Sequence, residues 1–293
     1  MHWFKQGHLF ILGAAILFGT AGTARAFAPE GMGPAFIGAL RLAIGGPTLL
    51  VFAAVTQRQH ALIAGLPLGM TLLAVAGVCL FQVCFFAAVI RTGVAVGTLV
   101  AIGSAPVAAG LLEAIFYKES ITPRWVAAAC LSIGGCSLLV TASNEITLDS
   151  GGILLAAGAG FGYAVYQVAS KRLVKERSPV KVMAVVLCAG AILLTPCLAT
   201  SEVYLLATGR GLAIALFLGV AATAVAYALF ARGLTTVPVS RAAVLGLMEP
   251  LTASVLGVFI LGEYLTAPAW IGAALIVCGL CVVVQPRDAE AAA

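Results

Sequence analysis

Ten runs of about 20 mostly apolar residues, parted by brief polar breaks, constrain this chain more than any other feature. Each run has the length an α-helix needs to cross roughly 30 Å of hydrocarbon. They fall near residues 9–28, 35–55, 66–90, 94–116, 125–142, 150–169, 180–200, 211–230, 242–261 and 268–285, with boundaries within about 4 residues. A barrel is excluded, because lipid-facing strands alternate apolar with polar residues and these runs do not. Composition points the same way: charged residues make up 9% and hydrophobic residues 62% of the chain, against about 25% and about 45–50% in soluble domains. That much polar surface cannot cover a domain in water. The expected fold is all-α and integral to a membrane, with ten transmembrane helices and lipid as their surroundings.

Loop charge gives an orientation, since cytoplasmic loops collect Lys and Arg. If every run crosses, one face holds Lys5, Arg58, Lys118, Arg124, Lys171, Arg172, Lys175, Arg177, Lys181, Arg232, Arg241 and Arg287, twelve in all, and the other holds Arg91 and Arg210. Both termini are expected in the cytoplasm. A competing reading makes residues 1–26 a cleaved signal peptide, with Lys5 as its charged region and Ala24-Arg25-Ala26 as an A-x-A site. It would leave nine spans.

The net charge of +5 lies in short loops rather than on one face of a folded domain, so no nucleic-acid partner is expected. The cysteines, Cys79, Cys84, Cys130, Cys136, Cys188, Cys197, Cys278 and Cys281, all fall inside apolar runs and read as small buried helix residues. Disulfides are not expected, nor is redox work by the Cys278-x-x-Cys281 pair. His2, His8 and His60 lie outside the runs, and no Cys/His spacing matches a metal site. No metal or other cofactor is expected. The chain has no G-x-x-x-x-G-K-[ST] loop, so ATP is not its direct energy source.

Residues 86–139 repeat as residues 230–284. Phe86-Ala87 falls on Phe230-Ala231, Thr92 on Thr236, Pro106 on Pro250, Glu119 on Glu263 and Thr122 on Thr266. After a one-residue insertion, Pro123, Trp125, Gly134 and Cys136 fall on Pro268, Trp270, Gly279 and Cys281. Phe18-Gly19 similarly matches Phe161-Gly162. Two halves, 1–145 and 146–293, would each hold five spans, and an odd number makes the second half enter the membrane in the opposite sense. Inverted repeats mark secondary transporters, whose halves rock about a site near the bilayer midplane.

Glu249-Pro250 in the ninth run, Leu261-Gly262-Glu263 at its end, Thr266 and Pro268 before the tenth, and the stretch from Gly272 to Gly279 resemble the EamA-type branch of the drug/metabolite transporter superfamily. Ala105-Pro106 and Lys118-Glu119 are the weaker copy in the first half. The resemblance implies ten helices in two inverted halves, a central cavity, and export of amino acids or related small metabolites across the inner membrane of a bacterium. Within the superfamily the chain looks most like amino acid exporters of the YddG type.

Pro106 and Pro250 deprive Ile102 and Gly246 of a helical hydrogen-bond donor, so both helices are expected to kink there, either as hinges or as packing bends. Glu119 and Glu263 read as structural, each supporting the start of the next helix near Thr122 or Thr266. Glu249 is different, because its first-half counterpart is Ala105. A carboxyl group at that depth costs about 2.5–3.5 kcal/mol and normally faces a cavity or a partner. It can carry a proton or, when ionised, meet a substrate ammonium group; the alternative is a protonated acid bonded to a neighbouring helix. Arg41, about two turns into its run, either snorkels or binds a substrate carboxylate. Arg25 allows the same two readings, and Glu113 reads as a snorkelling or ion-paired helix end.

Thr20, Gln82, Phe85, Ser104, Tyr163, Gln167, Thr223 and Tyr227 are uncharged polar or aromatic residues at mid-depth. Tyr163 with Gln167, and Thr223 with Tyr227, are four apart and share a helix face, which suits either a cavity wall or interhelical bonding. Gly93-x-x-x-Gly97 and Gly158-x-x-x-Gly162 permit close helix approach without deciding between a monomer and a homodimer. The expectation is a secondary transporter exporting amino acids, aromatic or neutral ones among them, by alternating access. A drug or other metabolite transporter of the same fold is the alternative. An intramembrane enzyme is the rival from another class, but it would need a catalytic set at one depth, which these runs lack.

Overall fold

The computed structural model describes residues 2–57, 65–141, 149–198 and 201–285. Arg58, His60 and Arg287 lie outside them, as do the side chains of His2 and Lys5. Every long element among the described residues is helical: α1 (His2–Ala26), α2 (Pro34–Gln57), α3 (Leu68–Tyr117), α4 (Pro123–Thr141), α5 (Ser150–Glu176), α6 (Pro179–Leu193), α7 (Gly209–Leu216), α8 (Ala226–Leu234), α9 (Val239–Leu245), α10 (Met248–Leu261) and α11 (Ala267–Val284). Among the described residues eight spans are long and apolar enough to cross a membrane, and two further apolar helices, Pro123–Leu139 and Pro179–Leu193, are shorter. Large apolar side chains such as Ile90, Leu154 and Phe259 project outward. In lipid such exposure costs nothing.

Several boundaries differ from expectation. The seventh run was expected to reach residue 200, but α6 stops at Leu193 and a short 3₁₀ turn, Thr195–Leu198, follows. Pro196 lacks an N–H and disfavours helix at the residue before it. α5 continues past the apolar run to Glu176, because Lys171, Arg172, Leu173, Lys175 and Glu176 form helix well in or out of lipid. α1 begins early enough to place His8 inside the span Gln6–Ala26, where it is buried, so the expectation that all histidines lie outside the spans is corrected. Cys130, Cys278 and Cys281 face outward rather than inward, and all eight cysteines are free.

The third and fourth runs, together α3, are two helices that meet at a sharp kink at Gly93 (φ 77°, ψ 166°), a conformation open to glycine. Gly93 is the single non-helical residue within it, and no break accompanies Pro106. The ninth run does break. α9 ends at Leu245 and α10 starts at Met248, yet the Gly246 carbonyl is not orphaned, because the Glu249 N–H donates to it at 2.9 Å. The eighth run holds a π-helical segment, Phe217–Val225, between α7 and α8.

Packing joins elements far apart in sequence. α5 lies along α3, α1 along α8 and α10, α2 along α6 and the π segment, and α4 along α11. The main core gathers Ile11, Leu42, Tyr166, Met183, Leu187, Phe230 and Leu245. α1 is thus an integral part of the bundle.

Thr122 caps α4, its hydroxyl accepting from Trp125 N–H at 3.2 Å. Thr266 makes no such side-chain bond, and the Glu263 carboxylate packs back against Gly257 instead of reaching the start of α11, which corrects its expected role. α3 and α10 both end on a left-handed residue, Lys118 (φ 55°) and Gly262 (φ 72°). A side chain in that region costs roughly 1–2 kcal/mol. Lys118→Gly is expected to raise the midpoint of thermal unfolding in detergent by about 2–4 °C. An unchanged or lowered midpoint would show that the turn is not strained.

Candidate substrate site

The site forms where the irregular eighth span meets α2, α5 and α10. A π turn takes one residue more than an α turn and turns donors and acceptors off the regular ladder. Here the Thr223 hydroxyl donates to the Leu218 carbonyl at 2.7 Å, five residues back. Arg41 of α2 then clasps the segment, its Nε donating to Thr223 Oγ1 and its Nη2 to the Ala222 carbonyl, both at 3.0 Å. Gly45 lets α2 come this close, since a Cβ there would stand 2.7 Å from Thr223 Cγ2 and 3.0 Å from the Gly219 carbonyl. These two bonds occupy two of the five N–H donors of the guanidinium.

Glu249 sits in the first turn of α10, half-buried. It lies within electrostatic reach of Arg41, Tyr163 and Tyr227. Among the described residues its carboxyl group has no hydrogen-bond donor and no ion pair, unlike Asp149, which pairs with Arg91. α1 fixes the depth of this turn, because Gly19 has room for no Cβ beside the Glu249 carbonyl (2.6 Å) and Thr252 Cβ (2.6 Å).

Aromatic rings cluster beside these residues. Tyr163 lies 5.4 Å from Phe81 and 5.9 Å from Tyr166, and Tyr166 lies 5.8 Å from Tyr227, which meets Phe18 edge-on at 5.1 Å. Phe85 stacks on Phe81 at 5.5 Å. Such spacings are those of favourable ring pairs. The Tyr166 hydroxyl donates to Met183 Sδ at 3.1 Å, fixing that ring, while Tyr163 and Tyr227 are half-buried.

The structure therefore brings Arg41, Thr223, Tyr227, Glu249 and Tyr163 together. Gln167, one turn beyond Tyr163, is 1% exposed and neither amide atom has a hydrogen-bond partner at bonding distance. Phe85 joins the aromatic cluster. Of the remaining candidates, Gln82 donates to the Gly38 carbonyl across α2 and α3 (3.2 Å), Thr20 to the Leu17 carbonyl (2.6 Å) and Ser104 to the Ala101 carbonyl (3.2 Å). Arg25 is exposed at the end of α1. Glu113 neither snorkels nor forms an ion pair. It is 3% exposed and accepts from the Val239 and Ser240 N–H groups at 2.5 and 2.8 Å, because α9 lacks a cap of its own. The π segment, Phe18, Phe81, Tyr166 and Phe230 were missed in sequence, although Tyr166 follows Tyr163 at a helical spacing of three. Among the described residues no three His, Cys, Asp or Glu side chains gather where they could hold a metal ion.

A bundle of membrane-length helices around a charged, aromatic interior defines a multi-pass membrane protein. The chain belongs to the EamA-like transporter family, whose sequence pattern matches residues 5–141 and again residues 150–285. It is 45% identical to the uncharacterized transporter YwfM of Bacillus subtilis (strain 168) over 285 residues, 97% of this chain and 96% of that one. It is 23% identical to the uncharacterized inner membrane transporter YicL of Salmonella typhimurium, covering 95% of each. A crystal structure of a protein 23% identical in sequence superposes with a TM-score of 0.84 over 95% of this chain and 96% of that one, which shows the shared fold. Family and relatives point to transport rather than catalysis.

Proposed function

We propose that this chain is a secondary transporter exporting amino acids across the inner membrane of a bacterium. It works by alternating access between two inverted five-helix halves, residues 1–145 and 146–293, with both termini in the cytoplasm. The carrying observation is that the half-buried Arg41 guanidinium and Glu249 carboxyl lie within electrostatic reach of each other beside a cluster of aromatic rings. A zwitterion suits that arrangement: its carboxylate takes the N–H donors Arg41 has left, its ammonium faces Glu249, and an apolar or aromatic side chain lies against Tyr163, Tyr227 and Phe81. Thr223 would bind through Arg41, and Gln167 would offer an amide once Tyr163 moves.

Three findings support the inverted halves. The family pattern matches twice. Lys118 and Gly262, equivalent in the repeat, end their helices in the same left-handed conformation. The pairing is reciprocal, α1 on α8 and α10 in one direction and α5 on α3 in the other. Pro250, behind the break at Gly246–Leu247, is the better hinge; Pro106 lies in an unbroken helix.

Counterflow in proteoliposomes with labelled solutes tests the function. Aromatic and neutral amino acids are expected to exchange, while lipophilic cations without a carboxylate do not. Exchange of such cations with no amino acid exchange would make the protein a drug transporter of the same fold. Glu249→Gln is expected to remove the pH dependence of export, because the amide carries no titrating proton. An unchanged pH dependence would eliminate Glu249 as a proton carrier and leave downhill efflux.

A further inference from the structure

The two ends of the bundle are fastened differently. At one end lies the turn 235–240 between α8 and α9. Lys171 of α5, only 7% exposed, donates to the Val237 carbonyl at 2.7 Å. Glu113 of α3, 3% exposed, takes the next two free N–H groups, those of Val239 and Ser240. A buried cation and a buried anion from two other helices thus hold consecutive polar groups of one turn, and the two charges also attract each other. Tyr117, one turn beyond Glu113, ties α3 to α5 by donating to the Val168 carbonyl at 3.0 Å.

The equivalent turn at the other end is 91–96, which contains Gly93. Neither clamp is present in its sequence. Glu113 stands seven residues after Pro106, and seven residues after Pro250 stands Gly257. Lys171 stands ten residues after Phe161, and ten residues after Phe18 stands Ala28. Among the described residues the turn is fastened by the ion pair Arg91–Asp149 at 3.2 Å, whose side chains are 53% and 38% exposed, and the same face carries the exposed bond from Arg210 to the Phe27 carbonyl. Exposed pairs of this kind contribute little, whereas hydrogen bonds to buried charges are among the stronger ones. Packing follows the same asymmetry: among the described residues α3 packs closely on α9, at the Glu113 end, and not on α10.

We propose that Glu113 and Lys171 form a one-sided latch, closing the central cavity at the turn 235–240, so that the protein rests open at the Arg91 end. Breaking the latch shifts the population toward the opposite state, in which the turn 91–96 closes. The latch gives the two halves unequal stability in a fold whose repeat would otherwise make the two states alike. It rests on the alternating-access reading, but its test does not depend on which solute moves.

The test is hydrogen–deuterium exchange of the full chain in lipid nanodiscs, comparing the native protein with Glu113→Ala and Lys171→Met. Amides across 235–245 are expected to exchange about tenfold faster or more in each variant, as the loss of one or two such bonds implies. Amides across 88–97 are expected to exchange more slowly, which a merely local packing defect would not produce. Unchanged exchange at 235–245 overturns the latch. So does faster exchange at both turns, or a rise confined to 235–245 with no slowing at 88–97. If one variant fails to fold, the other decides. Counterflow on the same preparation separates the two readings: the expected exchange pattern without any counterflow keeps the latch and removes the exporter, and counterflow with unchanged exchange does the reverse.

Discussion

Gly77→Val is expected to prevent the bundle from forming, with loss of the monodisperse species in size-exclusion chromatography. α3 and α5 cross at a pair of glycines. A Cβ on Gly77 would stand 2.6 Å from the Tyr166 nitrogen and 2.8 Å from the Gly162 carbonyl oxygen. A Cβ on Gly162 would in turn stand 2.8 Å from the Phe81 nitrogen and 3.0 Å from the Gly77 carbonyl oxygen. All four neighbours are backbone, so no rotamer change relieves the clash and the helices must part. Overpacking ordinarily costs about 1–3 kcal/mol, and a helix separation belongs at or above that range, because every dispersion contact along the crossing weakens with distance. The same separation would carry Tyr163 and Tyr166 away from Tyr227. Gly69→Ala is the control, on the same helix with nothing within 4 Å of the added carbon, and is expected to change nothing. A monodisperse Gly77→Val protein with native thermal stability would sink the argument.

That crossing illustrates what a sequence of this kind discloses. The thickness of the hydrocarbon imposes a length on each span, so the apolar runs were legible, and so was the duplication that places Pro106 on Pro250. The family followed from Glu249-Pro250 and its neighbours. Inside and outside were not legible, because a lipid-facing residue is as apolar as a core residue; hence Cys130, Cys278 and Cys281 were expected inside and lie outside. Nor was the π segment, since nothing in Phe217–Val225 breaks a helix by itself. It is held by Arg41, 182 residues distant from Thr223 in the chain. Glu113 misled for the same reason: a carboxylate near a helix end suggests a solvated or paired charge, whereas its partners are backbone groups 126 and 127 residues away. What the sequence left hidden are contacts made only once the helices pack.

Arg41→Ala is expected to lower the initial rate of export of carboxylate-bearing solutes by about 100-fold, near 2.7 kcal/mol. Two effects add. The substitution removes two charge-assisted bonds, to Thr223 and to the Ala222 carbonyl, which loosens the π segment that carries Tyr227 in the following turn. It also removes the cation that answers Glu249, so that a substrate carboxylate would enter a site of like charge. A binding assay separates these effects. If Arg41 only props the π segment, Arg41→Ala weakens binding of an amino acid and of its amide equally; if it binds the carboxylate, only the amino acid loses affinity. Arg41→Lys keeps the charge but presents a compact ammonium that cannot fork between Thr223 and Ala222, so it is expected to recover only part of the rate. Thr223→Val removes one bond and leaves the guanidinium in place, with an expected loss of about tenfold. Export by Arg41→Ala at the native rate, in protein with native thermal stability, would place the carboxylate elsewhere and remove Arg41 from the site.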